Sequence, residues 1–573
     1  DVAGDKCVDL AFVPVNSQSY GFTGRLYITL DGNYAVKKFL LNTPANINLN
    51  WVDKLRIEQE FKRMPDSTWV LANENTYVNF YIVKGAQQLS HQLRNFDKYQ
   101  FDVQNADSIF GLLGPIHELP EATAQTDTFW IHNRHVPLKE KESALDDLLA
   151  QLRKVPAFNV IIKTAEILIT GYIPTTADKD KSKFDFGPMN TTFSANHLEG
   201  FRMRVGGMTT ANLNPHWFGS GYLAYGVNDR KLKYNAKLTY SVNKKKYHEG
   251  ESPVNNISAI QEYDVYTPGQ DFLFTSKDNM FVAWKVGEPV TMMQYIRKTM
   301  LQYQKEWLNG LTTWARNENN EAAGTLRYDR YNADGTLTNL KSFTNTELGT
   351  QLRFAPGERA YNGREGKNSL FNLSKDAPVF KLSHQMGLKN VLGSDFNYNH
   401  TEISAEKRIW LSSFGHIDAL VTAGKVWDKV PFPLLIMPNT NQSITIQPQA
   451  FNMMRALEFV SDQYVSFYFT YYMKGWILNR IPGVKWLRLR EVISFSGFYG
   501  GLTDKNNPAL DPTGLYRFPE GTSPMGRTPY LEASVGLENI FKILRIDYYR
   551  RLTYLDQPNI KKGGVRIALR FSF

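Results

Sequence analysis

Six arginines fall on one phase of segments that alternate with a period of two: Arg202, Arg204, Arg353, Arg545, Arg566 and Arg570. That period puts them on one face of a sheet. Guanidiniums gathered on one face attract anions. The competing reading ties them to Glu532, Glu538 and Asp547 in internal ion pairs, because an unpaired buried guanidinium is costly. Other candidates are thinner. His132 and His135 have no third ligand nearby. Asp504, Asn506, Asn507 and Asp511 offer oxygen ligands in a loop, but not at the spacing of a calcium-binding loop. His400 and His416 fall on neighbouring predicted strands, where a hydrolase would need a Ser or Asp partner. No Gly-rich phosphate loop follows a strand and no nucleophile elbow appears. The sequence therefore calls for no catalytic residue, no metal and no cofactor.

The elements that carry these residues must be strands. The chain has 573 residues, 66 Lys and Arg against 56 Asp and Glu, and 35 Phe, 30 Tyr and 11 Trp. Its mean hydropathy is nonetheless −0.39. So many aromatics argue against disorder. The single Cys7 excludes an internal disulfide framework. No charge-free apolar run is long enough for a membrane helix; even Val160 to Ile173 contains Lys163 and Glu166. The net charge of +10 does not call for nucleic acid, since no basic cluster with interleaved aromatics occurs. A transmembrane β-barrel reconciles the aromatics with the low mean, because lipid-facing apolar residues alternate with polar lumen residues.

The pattern is clearest at the end. Val565, Ile567, Leu569, Phe571 and Phe573 alternate with Arg566, Ala568, Arg570 and Ser572. Leu531 to Glu538, Leu544 to Tyr549 and Val465 to Lys474 alternate likewise. Connections alternate between short and long, with 427–459 and 502–528 long and Pro-bearing, as in barrels with tight periplasmic turns and large external loops. Counting backwards, with 295–316 as one strand, gives about fourteen strands, or sixteen if the weak zones 268–294 and 357–377 hide a further pair. In that register both zones, and the tight turn Gly226 to Arg230, are periplasmic.

Residues 1–190 read differently. Phe22 to Leu30, the Asp31-Gly32 hairpin signal, Leu55 to Phe61, Trp69 to Leu71 and Tyr77 to Val83 predict an antiparallel sheet. Leu145, Leu148, Leu149 and Leu152 predict a helix stopped by Pro156. The expected fold is an all-β membrane protein: an antiparallel barrel over 191–573 preceded by a periplasmic α+β domain over 1–190.

Several stretches carry a resemblance. His197-Leu-Glu-Gly-Phe-Arg-Met-Arg-Val-Gly-Gly-Met-Thr209, Gly221 to Tyr234, Leu457 to Asp462, Leu478 to Pro482 and Pro529 to Asp556 resemble a Bacteroidota outer-membrane family of unknown function. Its members usually carry a carboxypeptidase-regulatory-like domain before this region. The resemblance implies an outer-membrane location and a further domain ahead of Asp1, and it brings no catalytic residues. The closing Phe571 and Phe573 resemble the signal that bacterial barrels show to their insertion machinery. The loop 427–459 lies where assembly and translocation barrels have a long external loop. The Arg-Gly-aromatic motif of that loop is absent here; Met454-Arg455-Ala456-Leu457 is the nearest stretch. Asp66-Ser67-Thr68 and Asp107-Ser108-Ile109 resemble acceptor sites for O-glycosylation in Bacteroidota, at Ser67 and Ser108.

The favoured function is a non-enzymatic outer-membrane barrel. It would serve as a subunit of an envelope complex in protein export, outer-membrane protein assembly or surface lipoprotein handling. Its partners would be membrane lipid and other outer-membrane or periplasmic proteins. A passive or substrate-specific channel and a barrel-rim hydrolase are the alternatives.

Overall fold

The computed structural model describes residues 4–14, 21–44, 49–83, 86–101, 125–134, 171–176 and most of 181–570, with isolated positions between them. The predicted helix at 145–152, His135, Ser108, Phe571 and Phe573 lie outside the described residues.

The first unit is an antiparallel sheet of six strands in chain order: Cys7–Phe12, Thr23–Thr29, Val36–Asn42, Val52–Arg63, Trp69–Val83 and Ala86–Asn95. The fourth and fifth strands expected at 69–71 and 77–83 are one strand. A register shift opposite Glu60 and Phe61 absorbs the break in the pattern. Thr126 caps a short helix, Asp127–Asn133, by accepting the N–H of Phe129.

The second unit is a large antiparallel meander whose strand order is that of a barrel. Its long strands are Gly200–Thr209, Trp217–Gly226, Leu232–Ser241, Asn255–Tyr266, Met292–Glu306, Asn309–Gly324, Ser342–Phe354, Val379–Gly387, Tyr398–Trp410, His416–Val426, Gln463–Tyr472, Arg490–Gly501, Tyr530–Ile540, Leu544–Arg551 and Gly563–Leu569. An interrupted strand, Phe184–Phe186 and Phe193–Asn196, pairs with the first of these. Ile173–Pro174 flanks it, so the wall takes in strands ahead of residue 191. The strand order then runs from Gly563–Leu569 to Ile173–Pro174. Among the described residues, no strand-to-strand register crosses that seam.

Two features alter the expected topology. The segment 295–316 is not one strand: Met292–Glu306 and Asn309–Gly324 pair antiparallel, with Glu306 opposite Gly310. The interrupted strand adds one more. Because each hairpin reverses direction, every connection before residue 292 moves to the other end of the barrel. Gly226 to Arg230 and 267–291 therefore share an end with the long loops 427–462 and 502–529. The contacts agree, since Thr440 donates to the Gly269 carbonyl at 3.0 Å and Asn439 accepts the Asp271 N–H at 2.8 Å.

The meander is inside out by the standards of a water-soluble sheet. Val205, Leu223, Leu238, Ile403, Val535, Val565 and Leu569 are exposed on its outer face. Arg202, Lys233, Arg490, Glu532, Asp547 and Arg551 are buried within. The six-stranded sheet touches the turn end. Arg488 donates to the Leu49 carbonyl at 3.0 Å, and Lys542 lies over the rings of Trp51 and Tyr81 at 4.7 and 4.9 Å.

Candidate functional site

The site is the lumen, and what fills it is the chain's own loop 427–462. Four prolines (Pro431, Pro433, Pro438 and Pro448) keep this segment from extending either flanking strand. Its backbone polar groups must therefore find partners elsewhere. Some it satisfies itself: Asn441 donates to the Thr445 carbonyl at 2.6 Å and accepts the Ser443 N–H at 2.9 Å. The remainder are met by the wall.

The clamp lies on the last strands. Glu532, fully buried, accepts the backbone N–H groups of Asn452 and Met453, each at 2.9 Å, and the Tyr530 hydroxyl at 2.9 Å. Arg551 grips Glu458 of the loop in a fork, at 3.0 and 2.6 Å, with both side chains out of solvent. Arg566 donates to the Asn452 carbonyl at 2.6 Å. Three consecutive strands thus hold a short run of loop. Fork pairing fixes geometry as well as energy. Phe451 adds apolar packing against Tyr468 and Tyr530, with ring centroids 5.0 and 5.5 Å apart.

Above the lumen the loop joins its neighbours. Val430, Phe432 and Leu435 cluster with Tyr328 of loop 325–341 and Tyr516 of loop 502–529. Asp462 fastens the same layer by accepting the Thr503 N–H at 3.1 Å and the Asn506 amide at 2.9 Å. Beside the loop a chamber of about 450 Å³ remains, lined by Arg316, Glu318, Glu347, Glu402, Tyr464 and Asp271 among others. Its place inside the barrel mouth and the nearby Glu402 carboxylate push the Asp271 carboxyl up from its ordinary value, against the pull of Arg316, although the side chain still reaches solvent.

The loop also reaches the seam. Ile567, on the outer edge of the last strand, donates to the Ile444 carbonyl at 2.9 Å and accepts the Ile446 N–H at 2.8 Å. Ile444 in turn donates to Trp284, and Val286 donates to Gln442. Residues 442–446 and 284–286 thus extend the sheet where a wall strand would lie, which covers an otherwise open edge.

Residues 165–506 match the model of a family of unknown function (DUF5686), C-terminal domain. The chain belongs to this family. No curated protein matches it. Among solved structures, BamA from Haemophilus ducreyi lacking POTRA domains 1–3 is similar at 11% identity and a TM-score of 0.40, over 67% of this chain and 70% of that one. CdiB from Acinetobacter baumannii is similar at 11% identity and a TM-score of 0.32, over 65% of this chain and 57% of that one.

Within this member of the family, most of the predicted arginines meet acids. Arg202, fully buried, contacts Glu199, Asp264 and Asp278 at 2.8, 2.7 and 3.2 Å. Arg204 pairs with Asp278 at 2.8 Å and lies over the Tyr222 ring. Arg353 forks onto Glu358, Arg545 onto Asp547, and Arg570 reaches Glu538 at 3.4 Å. The anion-attracting reading therefore fails for five of the six, since nearby acids neutralise them. Arg566 alone of the six has no carboxylate within ion-pair range among the described residues. Glu532 is used by the loop backbone instead of by an arginine.

Other sequence candidates separate. The register sets His400 opposite Val426 and His416 opposite Trp410, at the two ends of one hairpin, so they share no site. Asn506 is buried and donates to the Asp428 carbonyl and Asp462, a structural role in place of the calcium reading. Ser67 sits exposed in the turn between the fourth and fifth strands, 3.0 Å from an Arg63 nitrogen. The clamp residues Glu458 and Arg551 escaped sequence reasoning. The signal was present: Glu458 stands between Leu457 and Phe459-Val460, and a charge in so apolar a run must find a partner when buried.

Proposed function

We propose that this protein is a non-enzymatic outer-membrane barrel, closed by its own loop 427–462, that works as a subunit of an envelope complex handling proteins. In this reading the exposed apolar wall faces lipid, the loop end faces outward, and the six-stranded sheet stands in the periplasm with residues 1–190. The observation that carries the proposal is the clamp. Glu532, Arg551 and Arg566 bind the loop through buried polar contacts, which a freely conducting pore has no reason to build. A capped surface of joined loops at one end and a soluble-type sheet at the other offer partners two places to bind. Gentle solubilisation of native membranes, capture through an affinity tag and mass spectrometry of what co-purifies tests this. Stable co-purifying envelope proteins are expected, and recovery of the chain alone contradicts the subunit role.

A gated channel is the second reading, favoured by the 450 Å³ chamber that the loop leaves open. It requires that displacing the loop produces a steady ionic path.

A further inference from the structure

Between the loop, the seam and the last strand lies a second cavity, of about 300 Å³. Among the described residues its charged lining is Arg455, Lys561 and Arg566, with no acid. None of the three cations has a carboxylate within 4.0 Å among the described residues. Their polar contacts are backbone carbonyls: Arg455 to Gly521 at 3.4 Å, Lys561 to Val286 at 2.6 Å, and Arg566 to Asn452 at 2.6 Å and Val565 at 3.0 Å. Arg566 is only 4% exposed, and its Nε, like that of Arg455, has no hydrogen-bond partner among the described residues.

Carbonyl oxygens do not neutralise a guanidinium. Glu532 acts on Arg566 only from beyond ion-pair range and is committed to the Asn452 and Met453 N–H groups, so this buried guanidinium has no contacting counter-ion among the described residues. At two other fully buried lumen arginines, Arg202 and Arg551, the chain supplies a contacting acid. Here it supplies a cavity. An arginine fork flanked by two further cations suits an oxyanion with several equivalent oxygens, and phosphate fits that description best. The apolar part of the lining, Ile444, Met453, Met454 and Val565, accommodates carbon attached to that phosphate. Val565 also belongs to the exposed outer face, so the cavity adjoins the surface that the proposed function places in lipid.

We propose that this cavity binds a phosphate group, with Arg566 at its base and Lys561 and Arg455 around it. The phosphate belongs either to a membrane amphiphile reaching in through the seam or to a free solute.

The full chain in detergent, examined by native mass spectrometry, tests this with three probes: dioleoyl phosphatidic acid, dioleoylglycerol and inorganic phosphate. Phosphatidic acid is expected to be retained at least about tenfold better than dioleoylglycerol, and Arg566→Gln is expected to abolish that preference. Should Arg566→Gln fail to fold, the double variant Arg455→Gln/Lys561→Gln, altered nearer the surface, is expected to cut retention severalfold. Displacement of phosphatidic acid by inorganic phosphate supports the site with a free solute as its ligand. Retention despite millimolar phosphate supports it with the amphiphile. Equal retention of phosphatidic acid and dioleoylglycerol, or retention unchanged in the folded variants, overturns the proposal.

Discussion

The chain contains two antiparallel sheets built on the same two-residue alternation, and they solve opposite problems. In the six-stranded sheet each described ion pair keeps one partner well exposed, as with Arg94 of the Arg94–Glu74 pair and Glu60 of the Lys38–Glu60 pair. In the barrel the innermost pairs are sealed from solvent, such as Arg202 with Asp264 and Arg551 with Glu458 of the loop, and the apolar residues stand outside. Alternation shows that a sheet has two faces without saying which solvent meets which face. The charges decide that: acids and bases that lie far apart in sequence and meet in one buried network mark the inner face.

The sharpest way to break the comparison is to remove one half of a pair from each sheet. Glu458→Gln leaves Arg551 buried without its acid and is expected to cost about 3–5 kcal/mol in the barrel. Urea unfolding in detergent measures this. Arg94→Ala in the six-stranded sheet is expected to change stability by no more than about 1 kcal/mol, because solvent already screens that pair. Comparable losses from the two would show that the loop contact is not a buried clamp.

A charge on the apolar face is the next largest effect. Val535 is 66% exposed in the middle of its strand. Val535→Arg is expected to destabilise the barrel in lipid by about 2–4 kcal/mol. Leu89→Arg, on the equally exposed last strand of the six-stranded sheet, is expected to leave folding unchanged. A harmless Val535→Arg in bilayers would mean that this face does not meet lipid.

A smaller effect concerns pH. Burial, reinforced by Arg490, lowers the Lys474 ammonium to about 8, in the connection 473–489 at the turn end. Its folded pKa lies below that of an unfolded lysine, about 10.4. The cost of burying the charge is therefore complete below pH 8 and fades as pH rises from there to about 10.4. Thermal unfolding should show stability rising over that interval, and Lys474→Met should flatten the rise.

Much of the wall was legible because a strand writes its two faces directly into alternate residues, as from Val565 to Leu569 and Leu531 to Glu538. Strand parity was harder. The hairpin joining Met292–Glu306 to Asn309–Gly324 has no proline, and its one glycine, Gly310, falls inside the second strand, so it passes for continuous alternation. One unseen reversal then moves every earlier connection to the wrong end. The arginine network was half legible. Arg545 and Asp547 are two residues apart and share a phase, whereas Arg202 and Asp264 meet only through the register of four strands. The inward fold of 427–462 left the faintest mark, because a loop's destination depends on partners such as Glu532 and Arg551 on distant strands.

The central claim is that the loop closes the barrel by being clamped to the last strands. Single-protein conductance in planar bilayers tests it most directly, comparing the native chain with Glu458→Gln/Glu532→Gln. A native chain that conducts only in brief small steps, with a steady larger conductance in the double variant, is the predicted result. A steady large conductance in the native chain, unchanged in the variant, would contradict the account.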